Sequence, residues 1–320
     1  MRLAHARYTL PIRPLHRHRP LTLLAPQLAD LYWLLCSPPL LADEALPPGV
    51  RQGDAQLGES WWQQLSHANL TTNLPPTQHG FRLGRHAEML LQTALASLPG
   101  YQLLASQLPV REGGISLGEI DYLLRPPHGP LLHIELAVKF FIALPTAQGL
   151  CYVGPGLRDA LTLKLVRLFQ HQLQLAGSQA GQTALGSSAP VQPMAWLRGR
   201  MFYRELDSPA PAFLATDHLR GWWRCWGEVL PQQRGDSLWR SLNKPDWLGL
   251  RPLDDQALPF TEWHAQTEAH FSYPHWPLQV AEYAPAQDGG HELARGILLP
   301  PGWPSQAMLA SLLARIPPHF

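Results

Sequence analysis

The amino-acid sequence predicts a mixed α/β protein whose central part runs helix, three strands, helix, strand. Two patterns carry this prediction: apolar residues recur at three- and four-residue steps in two segments, and four shorter runs are typical of strands. The 33 prolines and 25 glycines divide the chain of 320 residues into short elements. We therefore expect an α/β core over residues 81–205, with further segments before and after it.

The elements of this core are expected in a fixed order. The first helix covers residues 82–98 and ends at Pro99-Gly100. Gly154-Pro155-Gly156 opens the second helix, over residues 157–175, and the uncharged run that follows at 176–190 predicts a loop. The strands are expected at residues 101–110, 119–124, 131–140 and 194–203.

Three further segments flank the core. Residues 1–27 are basic and rich in proline, which predicts a flexible arm, and residues 28–80 predict a helical segment with short helices at 28–35 and 60–70. Residues 206–320 form an accessory region that contains most of the 12 tryptophans. In that region Trp222, Trp223 and Trp226 follow helical steps, which favours a helix packed into the core over aromatic side chains that stack on unpaired bases.

The composition limits the classes of function. Charged residues make up 15% of the chain and the net charge is +1, which excludes a disordered charged chain and a globally cationic nucleic-acid coat. The three cysteines form no CxxC pair, so we expect no disulfide framework and no cysteine zinc site, and a reducing, cytoplasmic setting. No run reaches the ~18 apolar residues of a membrane helix, so a soluble protein with no membrane partner is expected.

Two acidic side chains are expected to face one small space between neighbouring strands. Side chains alternate between the faces of a strand, so Asp121 and Glu135 can lie opposite each other on strands about 4.8 Å apart. Two carboxylates that close repel unless a proton or a cation lies between them, and Mg²⁺ or Mn²⁺ suits oxygen ligands. Glu119 shares the face of Asp121 and His133 that of Glu135, so both are accessory candidates. The alternative is that these charged residues are ordinary solvent-facing side chains of a half-exposed hairpin.

The lysines add a second observation. Only Lys139, Lys164 and Lys244 are lysine among the 25 basic residues, and the first lies on the polar face of the strand that carries Glu135. An ammonium group there could orient an attacking water or neutralise charge on a phosphate.

This layout resembles the PD-(D/E)xK nuclease superfamily, the fold of many restriction endonucleases, over about residues 80–205. The resemblance implies a restriction-endonuclease-like core in which Asp121 and Glu135 bind the metal ion, Glu88 supports them and Lys139 is the catalytic lysine. More closely, Gly118-Glu119-Ile120-Asp121 and the run from His133 to Phe140 resemble a bacterial domain-of-unknown-function family thought to be a divergent member of that superfamily.

The sequence departs from the superfamily motif at one position. The usual lysine lies two residues after the acidic residue, where this chain has Ala137. Lys139 begins some 13 Å along the strand from Glu135, at about 3.3 Å per residue, so a bulge or a folded-back side chain would be needed. Lys164 on the following helix is a substitute, because superfamily members relocate the lysine. The third alternative is a degenerate site that no longer cleaves nucleic acid.

A basic stripe is expected on the second helix. Lys164, Arg167 and His171 follow three- and four-residue steps and could face the phosphates of a nucleic acid, although a solvated helix face is an equal alternative. The leading function is hydrolysis of phosphodiester bonds in DNA with Mg²⁺ or Mn²⁺. The alternative is a non-catalytic module that binds nucleic acid or protein. The sequence leaves the oligomeric state and the substrate open.

Overall fold

A computed structural model describes residues 25–65, 70, 73–74, 82–147, 149–272 and 276–317. The predicted arm over residues 1–27 lies almost wholly outside these ranges, as do residues 66–69 of the helix expected at 60–70. Within them, no helix is long and apolar enough to cross a membrane.

One mixed sheet of eleven strands organises the described residues. The strands are β1 (Arg51–Gln52), β2 (Gln102–Glu112), β3 (Ile115–Arg125), β4 (Leu131–Thr146), β5 (Gly149–Val153), β6 (Val191–Tyr203), β7 (Arg220–Cys225), β8 (Leu238–Leu242), β9 (Leu258–Pro259), β10 (Leu278–Tyr283) and β11 (Glu292–Leu299). The main path of the sheet runs β2-β3-β4-β6-β7-β11-β10-β8-β9, while β1 pairs with β6 and β5 with β4. The central strands β4, β6, β7 and β11 are parallel, and antiparallel hairpins flank them.

Seven α-helices in the described ranges cover this sheet. They are α1 (Pro26–Cys36), α2 (Ala55–Gln64), α3 (Leu83–Ser97), α4 (Leu161–Gln170), α5 (Gln179–Leu185), α6 (Phe260–Ser272) and α7 (Gln306–Leu313). The mixed α/β class and the order helix, three strands, helix, strand are confirmed, with β5 and α5 as additional elements. The sheet does not end at the core boundary expected at residue 205. It continues into the tryptophan-rich region, where β7 pairs with β6.

Alternation along β4 separates the two faces of the sheet. Ile134 and Phe140 belong to a core formed with α1, α2 and α3, whereas Ala137 and Phe141 belong to a second core beneath α4. His133, Glu135 and Lys139 share the α4 face by the same alternation. The candidate site therefore lies on the side of the sheet covered by α4.

The second helix is shorter than predicted, and the predicted loop at 176–190 is wrong up to residue 185 and correct for residues 186–190. α4 begins at Leu161 and ends at Gln170, and a 3-10 turn over Gln172–Gly177 follows it. The Ser178 side chain then accepts a hydrogen bond from Gly181 N and caps α5. Ala180 is buried against the β2–β3 hairpin, so tertiary packing stabilises a helix that composition alone does not indicate.

The helix predicted around Trp222, Trp223 and Trp226 is also wrong. The first two lie in strand β7, which buries both of its faces: Trp222 packs into a cluster with Trp239 and Trp263, whereas Trp223 packs into the core formed with α1, α2 and α3. A strand that is buried on both faces has consecutive apolar residues, so its sequence lacks the alternation that distinguishes a strand from a buried helix. The prediction that these aromatic side chains pack in the interior is confirmed for Trp222 and Trp223, and Trp226 packs partly buried against the cluster of Trp222.

A buried ionic cluster joins α1 to the C-terminal region. Asp30, with no exposed surface, pairs with Arg251 at 2.8 Å and lies 3.0 Å from His86 Nε2. It also accepts a hydrogen bond from Gly249 N at 3.0 Å. Arg251 in turn contacts Asp246 at 2.8 Å. We call these residues the Asp30 cluster.

Helices α1 and α2 meet at Gly58, where a side chain has no room. A Cβ atom there would lie 1.9 Å from the carbonyl oxygen of Leu35. Gly58→Ala is expected to lower the free energy of unfolding by about 2 kcal/mol or more, because the two backbones must move apart. Chemical denaturation measures this. Gly84→Ala is the control: Gly84 is also helical but has open space around it, so its change should be neutral or stabilising by up to about 1 kcal/mol. Equal effects of the two variants would contradict the close contact.

Candidate functional site

Strands β3 and β4 separate where the predicted acidic residues lie. They pair over only three positions, the last of which joins Tyr122 to Ile134. The next residues along each strand are Asp121 and Glu135. The β2–β3 hairpin continues beyond this point without β4 beside it. The two strands therefore form a fork, with one carboxylate on each arm.

The two carboxylates hold the fork together. Leu136 N donates to Asp121 Oδ2 at 2.9 Å, and Asp121 N donates to Glu135 Oε1 at 3.3 Å. Each side chain thus accepts a backbone N–H group of the other strand, just beyond the point where the ladder between β3 and β4 ends. The expectation that Asp121 and Glu135 face one small space agrees with this geometry.

Glu135 is fully buried and uses both of its oxygens. Oε1 also accepts from His133 Nε2 at 2.7 Å, and Oε2 accepts from Gln172 Nε2 at 2.8 Å. Because a carboxylate only accepts, His133 carries its proton on Nε2, which leaves the buried Nδ1 atom without a partner. His133 therefore contacts Glu135 directly, whereas Glu119 is exposed to solvent.

The electrostatics of the fork favour a proton or a cation. Burial and the nearby charge of Glu135 raise the pKa of Asp121 from 3.8 to about 7. Glu88 raises that pKa further, and the Leu136 N–H group and Lys164 oppose the rise. In this environment the ionised carboxylates of Asp121 and Glu135 repel each other, as the sequence predicts for two acidic side chains that face one space.

The two candidate lysines lie in different places. Lys139 Nζ pairs with Asp159 Oδ2 at 2.5 Å, in the loop before α4. Lys164 Nζ donates to Gln172 Oε1 at 3.0 Å, and the same Gln172 side chain contacts Glu135. Lys164 is thus the lysine that is linked to the acidic pair, and Lys139 is engaged elsewhere.

Glu88 approaches the fork from α3, on the opposite face of the sheet. Its carboxylate contacts Arg85 at 3.3 Å and accepts from Gln107 Nε2 at 3.1 Å. Gln107 has a positive φ of 51°, in a region of β2 where the backbone is irregular. The Tyr122 hydroxyl donates to the backbone carbonyl of Glu88 at 2.7 Å. The charge of this third carboxylate raises the pKa of Asp121.

The predicted basic stripe is divided in the structure. Lys164 is half-buried and directed to Gln172, whereas Arg167 is exposed. His171 follows the end of α4, and its Nε2 donates to the carbonyl oxygen of Leu117 in β3 at 2.8 Å. Arg167 and His171 are both exposed to solvent, whereas Lys164 is the half-buried member of the three.

The donor set suits a hard cation held by few protein ligands. Among the residues that the structure describes, no group of three or more His, Cys, Asp or Glu side chains is arranged to hold a metal ion. Mg²⁺ is commonly bound through one or two carboxylates, with waters and substrate phosphates completing its shell. The Asp121 and Glu135 carboxylates fit that pattern.

Sequence reasoning missed Gln172. It lies eight residues after Lys164, beyond the end of α4, and one of many glutamines carries no distinguishing pattern. Its contacts with Lys164 and Glu135 depend on the 3-10 turn that replaces the predicted continuation of the helix.

A family model described as Domain of unknown function (DUF1853) matches residues 29–299. Because the match covers well over half of the chain, the protein belongs to that family. No curated protein and no solved structure matches it.

Proposed function

We propose that this protein is a metal-dependent nuclease that hydrolyses phosphodiester bonds in DNA. The observation that carries the proposal is the fork, at which two neighbouring strands bring Asp121 and Glu135 within reach of each other's backbone N–H groups. The resemblance of this region to the PD-(D/E)xK nuclease superfamily supports the same function, with the restriction-endonuclease-like core over residues 81–205.

The protein's own residues have separate tasks in this proposal. Asp121 and Glu135 bind the cation, since their mutual repulsion disfavours two ionised carboxylates without one. Glu88 adds negative charge beside Asp121. Lys164 orients the attacking water or neutralises charge on the phosphate, because it is the lysine linked to the acidic pair. When bound, Mg²⁺ or Mn²⁺ supplies Lewis-acid polarisation of the phosphoryl group and of water.

A cleavage assay tests the proposal. Wild-type protein with Mg²⁺ or Mn²⁺ is expected to cut linear, single-stranded or branched DNA, and Glu135→Gln should reduce the rate by at least about 100-fold, since it removes a charge on which the cation depends. RNA substrates in parallel distinguish the nucleic acid. Thermal unfolding verifies that the variant is folded.

The matched control for this assay is Glu112→Gln. Glu112 is an exposed carboxylate in the β2–β3 hairpin, away from the fork, so its substitution should leave the rate unchanged. Cleavage that survives Glu135→Gln, or that both variants reduce equally, would contradict the assignment.

A non-catalytic module that binds nucleic acid or protein is the second candidate. Two observations favour it: Ala137 occupies the usual lysine position, and the two carboxylates accept backbone N–H groups that stabilise the fork by themselves. Absence of cleavage on every substrate, with DNA retained in a gel-shift assay, would favour this function over hydrolysis.

A further inference from the structure

The side chain of Gln172 connects Lys164 to the buried carboxylate of the fork. Its Nε2 donates to Glu135 Oε2 at 2.8 Å, and its Oε1 accepts from Lys164 Nζ at 3.0 Å. A carboxylate only accepts and an ammonium only donates, so the chemistry fixes which end of the amide faces which group. We propose that Gln172 is a positioning residue that holds the Lys164 ammonium beside the acidic pair and prevents an ion pair between Lys164 and Glu135.

This inference rests on the proposed nuclease function, because a positioned ammonium matters when a phosphate is present. It deepens that function by assigning a role to a neutral side chain that the superfamily resemblance does not identify in this chain.

The backbone on which Gln172 lies is firmly anchored. It opens the 3-10 turn over Gln172–Gly177, in which Leu173 and Leu175 are buried. The preceding residue, His171, is hydrogen-bonded to Leu117 O in β3. The turn is thus tied to the strand that carries Asp121, so the amide is held at a defined position relative to both carboxylates.

The separation that Gln172 enforces has a chemical consequence. Glu135 Oε1 accepts from Asp121 N and His133, whereas the contact on Oε2 comes from the Gln172 amide. Within the described part of the chain, Lys164 makes no ion pair with a carboxylate. A lysine that took the place of the amide would neutralise Glu135, compete with a cation for it, and remain at the base of the site.

The pKa of Lys164 reports its position, because that pKa depends on the charges around it. Burial, followed by the charges of Lys139 and Arg167, lowers the pKa of Lys164, while Asp121 and Glu135 raise it. A change in the distance to Glu135 would alter this balance. Because the chain contains only three lysines, Lys139, Lys164 and Lys244, selective labelling of lysine gives few resonances to assign.

The experiment compares wild-type protein with Gln172→Met by NMR of ¹³Cε-labelled lysine during titrations with pH and with Mg²⁺ alone. Methionine keeps the length of the side chain and removes both hydrogen bonds. Glu135 Oε2 then lacks a donor and Lys164 an acceptor, so the two groups pair. The titration midpoint of Lys164 should rise, and Mg²⁺ affinity should fall by about 10-fold. Lys244 serves as the internal reference.

Matched variants separate this role from simple packing. Gln174→Met changes an exposed glutamine in the same turn, and should leave the Lys164 midpoint and the Mg²⁺ affinity unchanged. Gln172→Asn, whose amide is one methylene too short to contact both groups, should reproduce the effects of Gln172→Met with a smaller change in packing. In the cleavage assay both Gln172 variants should lower kcat by about 10-fold to 100-fold with little change in KM for DNA.

The possible outcomes distinguish this inference from the function on which it rests. An unchanged Lys164 midpoint and Mg²⁺ affinity in both Gln172 variants would overturn the positioning role, whatever the rate of cleavage. If wild-type protein cuts no DNA, yet the midpoint and the affinity shift as expected, the nuclease function fails and the spacing role of Gln172 stands.

Discussion

Asp30→Ala is expected to lower the free energy of unfolding by about 3–5 kcal/mol, because it leaves buried cationic and N–H groups without their acceptor. Arg251 is only 4% exposed and pairs with Asp30 at 2.8 Å. Gly249 N and His86 also lose a partner. The substitution therefore affects α1, α3 and the C-terminal region together. Urea denaturation followed by tryptophan fluorescence measures the loss.

Two further variants test the cause of that loss. Asp207→Ala removes an exposed carboxylate, and should change the stability by less than about 0.5 kcal/mol. Asp30→Leu combined with Arg251→Met replaces the charged pair by apolar side chains, and should recover part of the loss since no buried cation then lacks a partner. A loss below about 1 kcal/mol in Asp30→Ala would mean that water replaces the carboxylate and that the cluster is not dry.

The predictable part of the fold is the part determined by local pattern. Helix α3 and strands β2, β3, β4 and β6 lie where periodicity and turn residues indicate them. The failures have a common cause in tertiary packing. Trp222 and Trp223 are buried on opposite faces of one strand, a situation that local periodicity cannot distinguish from a helix. Helix α5 exists because Ser178 caps it and Ala180 packs on the hairpin.

Long-range contacts were equally beyond the sequence. Asp30 and Gly249 are 219 positions apart, and neither has a local signal of the hydrogen bond between them. The sequence around Asp30 therefore does not predict that its carboxylate is buried. The predicted core ends at residue 205, but the sheet continues beyond it because β7 pairs with β6. No local pattern near residue 205 indicates this pairing.

The candidate site divides along the same line. Alternation assigns Asp121 and Glu135 each to one face of its strand, because the faces of strands follow from a period of two, but whether the two meet depends on the register of β3 and β4. Local pattern does not distinguish Lys139 from Lys164, since the difference between them is that Asp159 binds the first and Gln172 binds the second. Glu88 lies on α3, on the other face of the sheet, and its charge still raises the pKa of Asp121, which no local pattern reveals.

Asp121→Asn is expected to stabilise the metal-free protein at pH 8 by roughly 2–4 kcal/mol. Burial and the charge of Glu135 raise the pKa of Asp121 in the folded state to about 7, above its ordinary value of 3.8. The folded state then binds a proton that the unfolded state has released. The corresponding stability is complete below pH 3.8 and is lost as the pH rises through about 7. Asparagine has no charge, keeps an acceptor for Leu136 N, and should remove this pH dependence.

Denaturation curves at several pH values, with and without Mg²⁺, decide whether the fork exists for stability or for a cation. Mg²⁺ should stabilise the wild type by mass action and have little effect on Asp121→Asn. Glu119→Gln, an exposed carboxylate two residues away on β3, should leave the pH dependence unchanged. If Asp121→Asn instead lowers the stability at pH 8 by more than about 1 kcal/mol, the carboxylate serves mainly to hold the strands together. A stabilising effect would mean that the protein retains a repulsive pair at a cost to its own stability, which is expected of residues kept for binding or catalysis.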